Sequence, residues 1–141
     1  MTTIGILHPG EMGSAVGAAA RAGGTRVIWA SARRGPATRK RAETDGLDDV
    51  GALVRLARES EIILSVCPPA NAPDVAREVA ALRFGGAFAD GNAIAPATAR
   101  TVGDIVRTSA PSRPCLNSCR RSAPLPPIAR PATSNPNPLA M

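Results

Sequence analysis

The chain has 141 residues, which suits one domain, and only 2% of them are aromatic, so we expect an aliphatic, alanine-rich core. No apolar run approaches the roughly 20 residues that cross a bilayer, and the N-terminus lacks the pattern of a signal peptide, so we predict a cytoplasmic protein without membrane contact. Residues 1–107 carry 13 of the 17 basic and all 11 acidic residues, so their net charge is only +2 of the total +6. No platform of basic and aromatic residues accompanies them, which argues against a nucleic-acid partner.

Strands and helices are predicted in alternation along the first 107 residues. Apolar runs predict strands at Thr3–Leu7 and Arg26–Ala30, and in the stretches "EIILSVCPP" and "GAFADGN". Helices are predicted at Ser14–Ala22, after Pro36, in "APDVAREVAALRF" and from Pro96 onwards. This order predicts an α/β fold, a Rossmann-type doubly wound and mostly parallel sheet with helices on both faces.

One further helix is predicted within "DGLDDVGALVRLARES". Asp48 or Asp49 is expected to be its N-cap, because an aspartate oxygen accepts hydrogen bonds from the first free N–H groups of a helix. Val50, Leu53, Val54 and Ala57 are expected to share its buried face.

The unusual residues of the chain follow the predicted strands. Parallel sheets of this kind bind ligands beyond the carboxyl ends of their strands. Four segments fall at those ends, at His8–Gly13, Ser31–Arg34, Cys67–Pro69 and Asp90–Pro96. We therefore expect four loops to converge on one edge of the sheet.

The first of these loops is similar to a dinucleotide-binding turn, G-x-G-x-x-G. It consists of His8, Pro9, Gly10, Glu11, Met12 and Gly13. A histidine occupies the first glycine position, Gly10 would let a pyrophosphate approach the backbone, and Gly13 would let the helix pack on the first strand. An ordinary strand–helix turn is the alternative interpretation, and His8 is interpreted as a turn residue near the cofactor rather than a catalytic base.

The second loop indicates which dinucleotide is bound. NAD-selective sites place an acidic residue about 20 positions after the glycine turn, but no acid lies between Val27 and Ala42. Ser31, Arg33 and Arg34 stand there instead, and guanidinium groups bind a 2′-phosphate through paired hydrogen bonds. The sequence therefore favours NADP over NAD, with a solvated basic loop as the alternative.

The third and fourth loops fit the nicotinamide and substrate end. Cys67, Pro68 and Pro69 would form a rigid wall beside the nicotinamide ring, or would simply end the strand. Asn92 would orient a substrate hydroxyl or the nicotinamide amide, or would form an Asx turn. No metal site is expected, because Cys115 and Cys119 have no second ligand pair, and the cysteines are expected to be free thiols.

A different composition begins after Val106. The segment from there to the end holds 8 of the 14 prolines and no acid, and it has too little apolar surface to offset its ordering entropy. We expect residues 1–107 to form the domain and residues 108–141 to form a disordered tail. A frameshifted or truncated C-terminus is a further hypothesis for this tail.

Taken together, these motifs resemble a known superfamily over residues 3–107. "GILHPGEMGSAV", "SVCPP" and "DGNAIAPAT" are similar to the N-terminal NADP-binding domain of the 6-phosphogluconate and 3-hydroxyisobutyrate (β-hydroxyacid) dehydrogenases. Asp90 and Pro96 agree with the substrate motif D-x-(S/T)-T-x-x-P, whereas Asn92 and Ala93 replace its hydroxyl residues.

The resemblance implies hydride transfer between NADP(H) and a small hydroxy acid, with a lysine from a helical second domain handling the proton. The only lysine here is Lys40, so we expect a cofactor-binding domain that is catalytically incomplete. A homodimer is expected only if a second domain were present. The alternatives are a non-catalytic nucleotide-binding sensor module, and the N-terminal half of a pyrroline-5-carboxylate or F420-dependent reductase.

Overall fold

A computed structural model describes residues 1–109 of the chain. Of the tail predicted at residues 108–141, residues 110–141 lie outside this description, Cys115 and Cys119 among them, whereas Thr108 and Ser109 are helical. The strands are β1 (Thr3–Ile6), β2 (Arg26–Trp29), β3 (Asp48–Asp49), β4 (Ile62–Ser65) and β5 (Ala87–Asp90). The α-helices are α1 (Glu11–Ala22), α2 (Pro36–Thr44), α3 (Leu53–Glu59), α4 (Ala72–Ala81) and α5 (Pro96–Ser109).

The five strands form one fully parallel sheet in the order β3-β2-β1-β4-β5. β1 lies at the centre, where Gly5 is level with Ile28 of β2 and Ile63 of β4. Because the strand order reverses direction at β1, the loops after β1 and β4 flank the crevice in which such sheets bind ligands. The predicted α/β fold class is thereby confirmed.

The alternating side chains of the strands build a core on each face of the sheet. One core contains Ile6, Val27 and Trp29 with Ala42 of α2. The other contains Ile28, Ala30 and Ile63 and packs against Leu56, Val75, Val79 and Phe84. Apolar side chains on both faces of β2 explain why its sequence is a continuous apolar run rather than an alternating one.

The helix predicted around Asp48 and Asp49 is wrong in its start and its cap. Both aspartates form the short edge strand β3, and α3 begins only at Leu53, after Ala52. The Asp49 carboxylate accepts backbone hydrogen bonds from the neighbouring loop instead of capping α3. Val54, predicted to be buried, is 45% exposed.

Helix α1 also begins earlier than predicted, at Glu11 rather than Ser14. Residues of the glycine turn therefore belong to the first turn of the helix. Within residues 1–109, no helix combines the length and the apolar character that crossing a membrane requires.

Candidate functional site

The glycine turn brings the start of α1 close to the end of β1. A Cβ atom built on Gly13 would lie 2.4 Å from the carbonyl oxygen of His8, a distance that real Cβ atoms do not reach. Glycine at position 13 therefore sets how closely the helix approaches the strand. Gly10 differs, because a Cβ atom there would meet nothing within 4 Å.

No side chain caps the N-terminus of α1, whose N-cap residue is Gly10. The first N–H groups of a helix have no partner within the helix, and with the helix dipole they attract an anion. Met12, in the first turn, is 66% exposed although it is apolar. This end of α1 thus presents N–H donors and an apolar side chain beside the open space at Gly10.

His8 lines a cavity of about 290 Å³ between the loops after β1 and β2. Arg33 and Arg34 line the same cavity, together with Ala52, Leu53 and Glu78. The fold thus brings His8 together with two arginines that lie 25 and 26 positions later in the sequence, and all three were predicted to belong to one cofactor site.

Two residues that line this cavity each have a buried side-chain nitrogen without a hydrogen-bond partner among the described residues, Nδ1 of His8 and Nε of Arg34. Burial, and to a smaller extent the neighbouring Arg34 charge, together lower the pKa of His8 from 6.5 to about 4. The imidazole is therefore neutral at pH 7, so Arg33 and Arg34 carry the positive charge here.

The backbone of the second loop is unusual at Arg33, where φ is +63°. Non-glycine residues seldom adopt this left-handed conformation, which costs of order 1 kcal/mol. Ser31, two residues earlier, is only 7% exposed. Its carbonyl oxygen accepts hydrogen bonds from Arg34 N–H at 3.0 Å and from Nη2 of Arg39 at 3.1 Å.

Asp49 is the residue of this site that the sequence did not reveal. Its Oδ1 accepts hydrogen bonds from the Ser31 N–H at 3.2 Å and from the Gly51 N–H at 2.7 Å. Burial raises the pKa of Asp49, but hydrogen bonds from Ser31 and Gly51 and the charge of Arg39 outweigh burial, and the pKa is lowered overall. The available signal was Asp49 two positions before Gly51, a spacing typical of an Asx turn.

The loops after β4 and β5 are joined by Asn92. Its Oδ1 accepts a hydrogen bond from the Cys67 N–H at 2.6 Å. Its Nδ2 donates to Asp90 Oδ2 at 3.1 Å and to Ser65 Oγ at 3.4 Å. Both amide protons of Asn92 are thus used within the protein, and only the second lone pair of Oδ1 is left for a ligand.

Cys67, Pro68 and Pro69 follow β4 as predicted, and Pro69 opens a short 3₁₀ turn at Pro69–Asn71. Among residues 1–109, Cys67 has no disulfide partner, and the two prolines are exposed. Within the described part of the chain, no three His, Cys, Asp or Glu side chains are grouped as a metal ion would require.

A larger cavity of about 640 Å³ lies away from the glycine turn, between β5 and α5. Phe84, Phe88 and Val102 give it an apolar lining. Asp90 is the one predicted loop residue that lines it, so this cavity does not bring the four loops together.

The sheet order and the glycine turn define the chain as a Rossmann-type α/β domain. No protein-family model matches the chain, and no curated protein matches it significantly. Solved structures do match it. A conserved protein of unknown function, described as structurally similar to 3-hydroxyacid dehydrogenases, has 24% identity and a TM-score of 0.68, covering 74% of this chain and 39% of that one.

Two further structures carry the same fold. Mycobacterium tuberculosis 3-hydroxyisobutyrate dehydrogenase with L-serine has 22% identity and a TM-score of 0.63, covering 78% of this chain and 38% of that one. Synechocystis biliverdin reductase with biliverdin and NADP⁺ has 16% identity and a TM-score of 0.50, covering 77% and 35%. The resemblance to the hydroxyacid dehydrogenases is thus confirmed for the fold, and this chain spans less than two fifths of each of these structures.

Proposed function

We propose that residues 1–107 form the NADP(H)-binding domain of an oxidoreductase that transfers hydride between NADP(H) and a small hydroxy acid. The observation that carries this proposal is the shared cavity of His8, Arg33 and Arg34 beside the uncapped start of α1. Thr108 and Ser109 complete helix α5 of this domain, and residues 110–141 are proposed to lie outside it.

The residues present fit a dinucleotide. The pyrophosphate would lie at the N-terminus of α1, where Gly10 leaves open space and free N–H groups face an anion. The 2′-phosphate would lie against Arg33 and Arg34, whose guanidinium groups bind phosphate oxygens in pairs. Asp49 is held by Ser31 and Gly51 N–H groups, and Arg39 balances its negative charge.

The nicotinamide end would lie toward the loops after β4 and β5. When bound, the nicotinamide ring accepts or supplies the hydride. Asn92 fixes the Cys67 backbone, so the loop that would face this ring is held before the cofactor arrives. A hydroxy-acid substrate is suggested by the fold shared with 3-hydroxyisobutyrate dehydrogenase, with the Oδ1 lone pair of Asn92 as a polar contact.

No lysine lies at this edge of the described sheet. Lys40 is exposed on α2, away from the loops that would hold the nicotinamide. We therefore expect the chain to bind NADPH without oxidising it in the presence of 3-oxo acids, because the described residues place no lysine at this edge to donate the proton. Absorbance at the NADPH band, followed with a panel of such acids, tests this.

Calorimetric titration of the full chain with NADPH and NADH tests the cofactor assignment. We expect NADPH to bind more tightly. Arg33→Gly removes the guanidinium and also suits the left-handed backbone at this position, so it should fold normally. A hydrogen bond to a charged group contributes about 1.5–3 kcal/mol, so NADPH should bind roughly 10- to 100-fold more weakly and NADH as before.

Arg83→Gly is the matched control. Arg83 is the other arginine with positive φ, +52°, but it lies before β5, at the opposite edge of the sheet. This variant loses the same charge and should leave both affinities unchanged. Equal affinities for the two cofactors, or tighter NADH binding, would contradict the NADP assignment.

A further inference from the structure

His8 and Arg34 present a matched pair of unsatisfied groups. Nδ1 of His8 and Nε of Arg34 are each buried without a partner among the described residues, and both side chains line the same cavity. A buried polar group without a hydrogen bond costs about 1–3 kcal/mol. Two such groups beside a second arginine favour a ligand that offers several anionic oxygens in a small volume.

We propose that His8 and Arg34 together bind the 2′-phosphate of NADP(H), and that His8 takes up one proton from solvent when this phosphate binds. This inference rests on the proposed function and extends it, because it makes the choice between NADP(H) and NAD(H) depend on pH. The histidine in the first glycine position would then be a specificity-determining residue rather than a tolerated replacement.

The charges around His8 explain why protonation would wait for the ligand. Arg34 and Arg33 come from the loop after β2, and Glu78 comes from α4. In the free protein, burial and then the Arg34 charge depress the pKa of the imidazole to about 4. A phosphate group brings up to two negative charges, which favour the imidazolium form and reverse the effect of the arginine.

Proton uptake has a measurable consequence for affinity. Between the pKa of free His8 and its higher value in the complex, the association constant of NADPH rises as the pH falls, by up to tenfold per pH unit. NADH has no 2′-phosphate, so its association constant should not depend on His8 in this way.

The chain contains a single histidine, so NMR of the untagged full chain observes His8 without an assignment problem. We expect its ring protons to titrate with a midpoint near 4 in the free protein. Saturating NADPH should raise this midpoint by at least about two pH units, to about 6, and saturating NADH should not. No variant is needed, so a folding defect cannot obscure the result.

Calorimetry at pH 5.5 and pH 7.5 provides the second measurement, with His8→Asn as the comparison. Asparagine keeps a hydrogen-bond donor near the position of Nδ1 but does not titrate. The 2′-phosphate itself titrates near pH 6, and it does so with either protein. The difference between the two proteins in the pH dependence of NADPH affinity therefore reports the titration of His8. For each protein we divide the association constant of NADPH at pH 5.5 by that at pH 7.5. We expect this ratio to be at least about threefold smaller for His8→Asn than for the unmodified chain.

The outcomes separate the two proposals. NADPH binding with an unchanged His8 midpoint, or with the same pH dependence in His8→Asn, would overturn the role of His8 and leave the NADP assignment standing. A chain that binds neither NADPH nor NADH would overturn the proposed function itself, and the role of His8 with it.

Discussion

Replacing Gly13 by alanine tests the close approach of α1 to β1. The added Cβ atom would lie 2.4 Å from the carbonyl oxygen of His8, whereas ordinary contacts begin at 3.4 Å. The helix start and the turn would have to separate by about 1 Å. This movement would also loosen the helix one turn later, where Gly17 packs so closely on Ile6 and Leu47 that a Cβ atom would lie only 2.8 Å from each.

Two opposing terms set the expected size of the effect. Alanine favours a helix over glycine by about 1 kcal/mol, whereas overpacking of a close contact costs about 1–3 kcal/mol. The contact at Gly13 involves a backbone oxygen that cannot rotate away, so the upper part of that range applies. We expect a net loss of about 1–2 kcal/mol in the free energy of unfolding.

Thermal and urea denaturation of the full chain, followed by circular dichroism, measure this loss. One kcal/mol shifts Tm by about 4–8 °C in a domain of 60–100 residues. Gly10→Ala is the matched control, three residues away in the same turn. Its Cβ atom meets open space and its φ of −68° suits alanine, so its stability should change by less than about 1 kcal/mol.

The same pair of variants separates folding from binding. Gly10→Ala should keep its stability but weaken NADPH, because its methyl group enters the space proposed for the pyrophosphate. A Gly13→Ala protein as stable as the unmodified chain would refute the close approach of helix and strand. A Gly10→Ala protein with unchanged NADPH affinity would contradict the position proposed for the pyrophosphate.

Three further predictions concern protons and loop contacts. The folded pKa of His8, about 4, lies below its unfolded value of 6.5, so stability present above pH 6.5 should be lost as the pH drops toward 4. Because solvent screens the partly exposed ring, we expect a loss of about 1–2 kcal/mol, and urea titrations of His8→Asn should lack it. Asn92→Ala should lower the free energy of unfolding in urea by about 1–3 kcal/mol, because the Cys67 N–H loses its acceptor. Asn92→Asp keeps that acceptor but adds a charge beside Asp90. Equal stability of the unmodified chain and both variants would contradict the role of Asn92 in joining the two loops. The lowered pKa of Asp49 means that its carboxylate stabilises the fold above pH 3.8 and that this stabilisation is lost as the pH falls through the folded pKa. Acid denaturation of Asp49→Asn should lack this loss. A denaturation curve identical to that of the unmodified chain would show that the charge is not stabilising.

The sequence predicted the order of the main elements and the edge at which the unusual residues lie. Apolar runs and glycine or proline signals predicted β1, β2, β4 and β5 and the helices between them. Such elements are predictable because their burial pattern and their end signals are local properties of the chain. The Rossmann-type sheet follows from their alternation, since parallel neighbouring strands require helical crossovers.

β3 could not be predicted, because two aspartates are not a strand signal. Asp48 and Asp49 are extended only because Ile28 and Trp29 of β2 lie beside them and supply the pairing groups. Asp49 then bonds Ser31, 18 residues earlier in the chain. A contact between residues so far apart exists only once the sheet has formed.

The amino-acid sequence by itself determined which residues follow the strands, because strand ends and turn residues are encoded locally. Only the tertiary structure decided how those residues are used. It buried Nδ1 of His8 beside Arg34 and committed both amide protons of Asn92 to neighbouring loops. Burial, charge and hydrogen bonding at a site depend on groups that folding brings together from distant positions, so these properties of the site come from packing rather than from any one motif.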